Sequence, residues 1–268
     1  MNHPLSADNP LLLLGCGNMG RAMLDGWLRS GIDPACFTVI DPHAQNLPVG
    51  VAHHMDYSSV EQRFRWALLA IKPQIFGEAA ADILPLLSSD ATVLSLLAGT
   101  LVDTLQEKLP GRSIVRIMPN LAVAIGKSPL GIFSAESQAS EPIVALMRPL
   151  GTLCWLNDET LMDAVTALAG SGPAFVYRFI DALAAAGEDL GLDADLALQL
   201  AKTMVNGASE LAAAHDSHPA ELARRVTSPG GTTAAGLAVL DKDGALQNLL
   251  KSTLTAARDR GVELSKPQ

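Results

Sequence analysis

Positive charge is in short supply in this chain. Its 19 Lys and Arg stand against 28 Asp and Glu, a net charge of −9. Nucleic acid and anionic membranes need a basic footprint, so neither is expected as a partner. A phosphate-bearing cofactor remains open, because backbone dipoles can hold one locally. Cysteine is also sparse. Cys16, Cys36 and Cys154 show no paired spacing and read as small reduced residues of core or loop. The six histidines form no ligand pattern: His53 and His54 are adjacent, and His215 and His218 lie near a loop. No metal site is expected. Long apolar runs are missing too. The longest stretch without a charge is the 15 residues Val226–Leu240, interrupted by Pro and three Gly, whereas a spanning helix needs roughly 20 apolar residues. The segment Met1–Asp8 has no basic region ahead of an apolar one, so a secretory signal is not expected and the protein reads as cytoplasmic.

What is present is enough for a packed core. Hydrophobic residues make up 49 % of 268, which excludes disorder, and the length suggests two domains. From residue 11 to about 157, short apolar runs alternate with helical stretches. Leu11–Leu14, Phe37–Ile40, Ala67–Ile71, Thr92–Leu96 and Ser113–Ile117 read as strands, with Pro129–Ser134 and Thr152–Leu156 after them. Asn18–Ser30, Ile75–Leu87, Val102–Leu109 and Pro142–Leu150 read as helices. Alternation of this kind predicts a parallel sheet with right-handed crossovers. After about Asp158 the strands vanish. Helices are expected over Leu161–Leu190, Ala194–Ala214, Pro219–Val226, Thr233–Leu240 and Ala245–Leu264. Asp193 suits a helix cap, Pro219 a first turn and Gly191 a stop. This half is rich in small residues and poor in aromatics, so its helices must approach closely. Several are apolar around most of their circumference, more than a lone small bundle can hide. A homodimer or larger assembly is expected. The division expected is residues 1–158, dinucleotide-binding, and 159–268, helical.

Gly15-Cys-Gly-Asn-Met-Gly20 fits G-x-G-x-x-G, follows the first strand and opens the first helix, the context the pattern needs. The first Gly allows the turn, the second lets backbone approach a pyrophosphate, and the third lets helix meet strand. Asp41 ends the second strand, 21 residues after Gly20. A carboxylate there can accept hydrogen bonds from ribose hydroxyls and repels a 2′-phosphate, which favours NADH over NADPH. It can equally start an Asp41-Pro42 turn, with His43 offsetting part of its charge.

The charge-free stretch begins Val226-Thr-Ser-Pro-Gly-Gly-Thr-Thr-Ala-Ala-Gly236. It stacks backbone freedom, N–H groups and hydroxyls just before a helix, a composition suited to a small anion such as a carboxylate. Thr232 and Thr233 can also serve as plain helix caps.

These motifs, taken in order, resemble the pyrroline-5-carboxylate reductase family. Val226–Leu240 is similar to that family's C-terminal motif. Ala169-Gly-Ser-Gly-Pro-Ala-Phe175 resembles the start of its first bundle helix. Gly15-x-Gly-Asn-Met19, Ile71-Lys-Pro-Gln74, Ser95-x-x-Ala-Gly99 and Met118-Pro-Asn120 recur in sequence. The resemblance implies an α/β Rossmann N-terminal domain followed by an all-α dimerisation domain. It implies hydride transfer from NAD(P)H to the C=N bond of 1-pyrroline-5-carboxylate, giving L-proline. Carried over residue by residue, Gly15, Gly17, Asn18 and Met19 face the pyrophosphate, Lys72 and Pro73 the ribose and phosphates, and Ala98 and Asn120 the nicotinamide; Gly20 and Asp41 join the cofactor residues from the glycine pattern and the strand end read above. Ser228 and the N–H groups of Gly231, Thr232 and Thr233 take the substrate, with Thr233 nearest the chemistry.

Two departures stand out. The family often follows its second strand with Asn-Arg-Ser/Thr, the Arg holding a 2′-phosphate; here Asp41-Pro42-His43 strengthens the case for NADH. Members commonly read Met-Pro-Asn-Thr-Pro where this chain has Met118-Pro-Asn-Leu-Ala122, which leaves room for another cyclic imine as substrate. The layout also resembles β-hydroxyacid dehydrogenases, whose chemistry uses a lysine on the first interdomain helix. No lysine occurs between Lys127 and Lys202, which excludes that route. A non-catalytic nucleotide-binding regulator would not need the Ser228–Thr233 turn.

Overall fold

The computed structural model describes residues 3–135 and 140–264, so the first two residues of the N-terminal segment considered above lie outside the described ones. The chain divides into two compact units, Met1–Gly170 with Ala257–Gln268, and Ser171–Ala256.

The first unit is built on one eight-stranded sheet: β1 (Leu11–Leu14), β2 (Phe37–Ile40), β3 (Ala52–His54), β4 (Phe64–Leu69), β5 (Leu87–Ser95), β6 (Ser113–Met118), β7 (Ser128–Ser134) and β8 (Gly151–Trp155). The strand order is β3-β2-β1-β4-β5-β6-β7-β8. β1 sits between β2 and β4, Leu11 pairing with Phe37 on one side and Trp66 on the other. Its four leucines are fully buried. Leu11 and Leu13 enter the core on one face of the sheet, Leu12 and Leu14 the core on the other. An uninterrupted apolar run is what a central strand covered on both faces requires. Helices α1 (Asn18–Arg29) and α4 (Glu141–Met147) supply Met23, Leu24, Trp27, Ile143 and Leu146 to the first face. Trp27 stacks on Phe37 and donates its indole N–H to Leu146 O at 2.7 Å. Helices α2 (Pro73–Ile83) and α3 (Val102–Lys108) cover the second face with Phe76, Ala80, Ile83 and Leu105.

The architecture expected from alternation is present, with four differences. The sheet is mixed, because β7 runs antiparallel to β6. Only a short 3-10 turn, Leu121–Ile125, separates them, and a parallel return needs a crossover of a dozen or more residues. β5 starts at Leu87, five residues before the sequence suggests. Pro85 sits in a 3-10 turn, Leu84–Leu86, that closes α2 and releases the chain into the strand. β3 is three residues long, and its His53-His54 carries no strand signal. The long helix expected over Leu161–Leu190 is broken. A short helix α5 (Met162–Val165) passes into a π turn, Thr166–Gly170, and α6 (Gly172–Asp189) starts anew. Thr166 Oγ1 donates back to Met162 O at 2.8 Å, a hydroxyl contact that competes with the helix ladder, and Pro173 suits a helix start rather than its middle.

The second unit is helical: α6, α7 (Ala194–Ala214), α8 (Pro219–Arg225) and α9 (Thr232–Leu240), and α10 (Ala245–Leu264) begins in it. Asp193 caps α7 by accepting from Asp195 and Leu196 N–H. Gly191, at φ +97°, stops α6. α6 and α7 meet through Ala184, Ala197 and Ala201, all buried. A Cβ on Gly187 would lie 3.3 Å from Ala197 Cβ, so the small residues do set the approach.

Candidate functional site

The residues singled out in the first unit stand just past the carboxyl ends of parallel strands. Gly15 follows β1, Asp41 follows β2, Lys72 comes after β4, Ala98 after β5 and Asn120 after β6. Winding changes direction between β1 and β4, the crevice where open α/β sheets take ligands.

Each glycine of the first turn has its own reason. Gly15 turns at φ +86°, and a Cβ there would sit 2.8 Å from Ala70 O. Gly17 caps α1, and a Cβ on it would meet nothing within 4 Å, so the space beside its backbone is open. A Cβ on Gly20 would run into Gly15 O, which fixes how closely α1 meets the turn. No side chain caps α1 and its first turn carries no acid. The N–H groups of Asn18, Met19 and Gly20 are therefore available to an anion.

Asp41 ties this turn to the end of β2. Its Oδ2 accepts the Cys16 N–H at 2.6 Å and its Oδ1 accepts the His43 N–H at 2.7 Å. The carboxylate thus both opens its own turn and braces the glycine turn. Arg21 Nη1 donates to Asn46 O at 3.0 Å, holding the loop that follows. A cavity of about 510 Å³ is lined by Gly15, Gly17, Asp41, His43, Tyr57 and Lys72. A second, of about 450 Å³, adjoins Gly17, Asn18, Arg21 and Leu121. Pro73 is the first helical residue of α2, directly after Lys72. Met19 is half-buried against the core and Gly20 is buried. Burial pushes the Cys16 thiol up to about 11; Arg21 opposes this, and Asp41 and Asp25 add to it.

Ala98 and Asn120 lie outside both cavities. Ala98 is exposed, beside Gly99 at φ +72°. Asn120 is 6 % exposed. Its Nδ2 donates to Ala169 O at 2.9 Å, its Oδ1 accepts the Ala122 N–H at 2.9 Å, and its own N–H donates to Ser128 Oγ. Both ends of its amide are engaged within the protein, and it latches the π turn of residues 166–170. Two charged residues here escaped the sequence reading. Arg116 on β6 pairs with Glu159 at 2.8 Å. A lone arginine inside the apolar run Ser113-Ile-Val-Arg-Ile-Met118 is the signal that could have found the first of them.

In the second unit, Gly230 turns at φ +70° and Gly231 caps α9 without help from a side chain. The Gly231 N–H donates to Ser228 O at 3.0 Å, and Ala235 N–H is the first to bond into the helix, to Gly231 O. The N–H groups left to an anion are therefore those of Thr232, Thr233 and Ala234. Among the described residues, no hydrogen bond uses the hydroxyl of Ser228, Thr232 or Thr233, and all three residues are exposed. Arg224 and Arg225 pair with Glu221 on their own helix. Among the described residues, no group of His, Cys, Asp and Glu is arranged to hold a metal ion, and no helix is long and apolar enough to cross a membrane.

An open Gly17 beside a bare helix start, with a carboxylate past β2, fits a dinucleotide. Comparison with known proteins bears on both units. Residues 159–264 match the family described as pyrroline-5-carboxylate reductase dimerisation, and residues 11–99 match NADP oxidoreductase coenzyme F420-dependent. A pyrroline-5-carboxylate reductase of Pisum sativum is 34 % identical, with 98 % of each chain covered. The structure of a pyrroline-5-carboxylate reductase from Coxiella burnetii superposes with a TM-score of 0.85 at 31 % identity, covering 97 % of this chain and 99 % of that one. The Plasmodium falciparum pyrroline carboxylate reductase, solved with NADP bound, gives 0.84 at 26 % identity, with the same coverage.

Proposed function

The chain belongs to the pyrroline-5-carboxylate reductase family, and from that we propose that it reduces the C=N bond of 1-pyrroline-5-carboxylate to give L-proline. The observation that carries the reading is the presence, in a chain with this relationship, of a helix start without a side-chain cap in each unit, at α1 and at α9. When bound, NAD(P)H supplies the hydride. The N–H groups of Asn18, Met19 and Gly20 would hold its pyrophosphate in the turn that Gly15 and Gly17 shape, the Gly15 N–H itself being taken by Ile40 O at 3.0 Å; Asp41 would hold its ribose, Lys72 and Pro73 its ribose and phosphates, and the loops of Ala98 and Asn120 its nicotinamide end.

The substrate is a cyclic imine with a carboxylate, and its carbon accepts hydride best when the ring nitrogen is protonated. The N–H groups of Thr232, Thr233 and Ala234 take the carboxylate by charge-assisted hydrogen bonds. Ser228 and Gly231 shape the turn that aims them. The Thr233 hydroxyl orients the ring nitrogen. A neutral hydroxyl is a poor general acid, so its work is placement, and much of the rate enhancement comes from proximity.

We further propose NADH as the preferred donor. The Asp41 carboxylate just past β2 would repel a 2′-phosphate, and neither Lys nor Arg occurs from Asp41 to Gln62 to hold one. The assembly is a homo-oligomer. The test is nicotinamide absorbance with 1-pyrroline-5-carboxylate and each donor. Oxidation of neither sinks the reductase reading, and faster turnover with NADPH overturns the assignment to Asp41. In the Thr233→Ala variant, turnover drops while NADH still binds; unchanged turnover removes Thr233 from the site.

A further inference from the structure

Glu159 has no part in the contacts assigned above, yet one of its oxygens joins two of the segments that matter to them. Oε1 accepts the Val102 N–H at 2.8 Å and the Arg116 Nη1 at 2.8 Å. Arg116 is 3 % exposed and Glu159 is 20 % exposed. Val102 is the first residue of α3 and closes the loop of residues 96–101, which carries Ala98 and Gly99. The other end of that loop is held by Ser95, whose buried Oγ accepts the Leu97 N–H at 3.3 Å. Ser95 lies in register with Arg116. Arg116 in turn stands two residues before Met118, where β6 runs out towards Asn120.

The loop is therefore pinned at one end by Ser95 and at the other by Glu159. The same carboxylate neutralises the charge buried in the neighbouring strand. A guanidinium inside a sheet needs a carboxylate partner, or its desolvation goes uncompensated. Packing alone would be met by an apolar side chain at both positions. A single oxygen shared between a helix N–H and the next strand fixes their relative position as an apolar contact cannot, because hydrogen bonds are directional.

We propose that Glu159 is a positioning residue. Acting through the Val102 N–H and Arg116, it fixes the loop of residues 96–101 and with it the nicotinamide end of the cofactor. The proposal rests on the reductase reading for the role of Ala98, and its test separates the two. In a Glu159→Ala variant, hydrogen exchange of the Leu97–Val102 amides in cofactor-free protein rises by about tenfold or more, while the β1 amides keep their wild-type rates. The kcat falls on the order of tenfold as the near-attack geometry loosens. The KM for NADH moves by less than about twofold, because the pyrophosphate contacts are untouched. If Glu159→Ala does not fold, Glu159→Asp keeps the charge beside Arg116 but is one methylene shorter, and gives the same readings on a smaller scale. Unchanged loop exchange overturns the proposal. So does a loosened loop with wild-type kcat, which would make the pair structural only. If the wild type binds NADH but reduces no imine, the reductase reading fails, and the exchange rates still decide whether Glu159 holds the loop.

Discussion

In the first unit, β1 buries four leucines completely between two helical layers; in the unit Ser171–Ala256, the buried residues are three alanines. Tyr177, Phe179, Leu196, Leu200, Met204, Val239 and Leu250 of that unit are all more than two-fifths exposed. The sheet unit can fold its apolar groups inwards because helices cover both of its faces. The helical unit has apolar residues around its helices and only small ones between α6 and α7. Exposed apolar surface on this scale marks an interface. The cover comes from further copies of the chain, in keeping with a family match described as dimerisation. One unit is completed by its own sequence, the other by assembly.

The sharpest way to break this contrast is to place charge on the uncovered faces. Phe179→Glu with Leu200→Glu is expected to yield monomers with turnover reduced by about a hundredfold or more, since a charge buried without a partner costs several kcal/mol. Sedimentation and an NADH-binding titration together check it: cofactor binding should survive, and a fully active monomer would end the argument. On the other side, Trp27→Ala removes a fully buried side chain from the sheet unit and should cost about 3–5 kcal/mol. Denaturant unfolding would show the loss, and the oligomeric state of the folded protein should stay as it was. Asn120→Ala leaves the Ala169 carbonyl and the Ala122 N–H without a partner and should cost about 1–3 kcal/mol, measured in the same way.

The smallest effect concerns Cys16. Its folded pKa is raised from 9.0 to about 11, so the folded state holds the thiol proton where the unfolded state releases it. That contribution to stability is full below about pH 9 and is lost as pH climbs towards 11. Alkylation at pH 8 should therefore mark the exposed Cys154 well before Cys16. Mass spectrometry of the labelled peptides reads the order, and labelling of Cys16 first would contradict the burial described.

The sheet unit was legible where chemistry leaves a local mark. Gly15, Gly17 and Gly20 could be read in advance because each meets a different steric demand. Leu11–Leu14 could be read because a central strand tolerates no polar residue. β3 could not, since it consists of Ala52, His53 and His54 and exists only because β2 offers an edge. The start of β5 was hidden by Leu86-Leu87, equally good for a helix end and a strand start. The break at residues 166–172 has local marks in Thr166 and Pro173, but the contact that holds it, Asn120 to Ala169, comes from 49 positions away, and no local periodicity carries that. Arg116 and Glu159 belong to the same class: the charge is visible in the sequence, but its partner is set by topology. In the helical unit the cap at Asp193 was readable, but at the turn before α9 it was not evident that the Gly231 N–H is taken by Ser228 O.

That turn has one more consequence. From Val226 to Leu240 the chain contains no group that gains or loses a proton in water. A carboxylate seated on the N–H groups of Thr232, Thr233 and Ala234 is therefore held by donors whose strength is the same in acid and in alkali. Their dipoles act at contact distance, well within the roughly 8 Å over which physiological salt screens a charge. An arginine clamp would have drawn the substrate from further off and lost its reach as salt rose. The amide seat gives up that reach for indifference to the medium, so whatever pH dependence substrate affinity shows should follow the imine's own protonation.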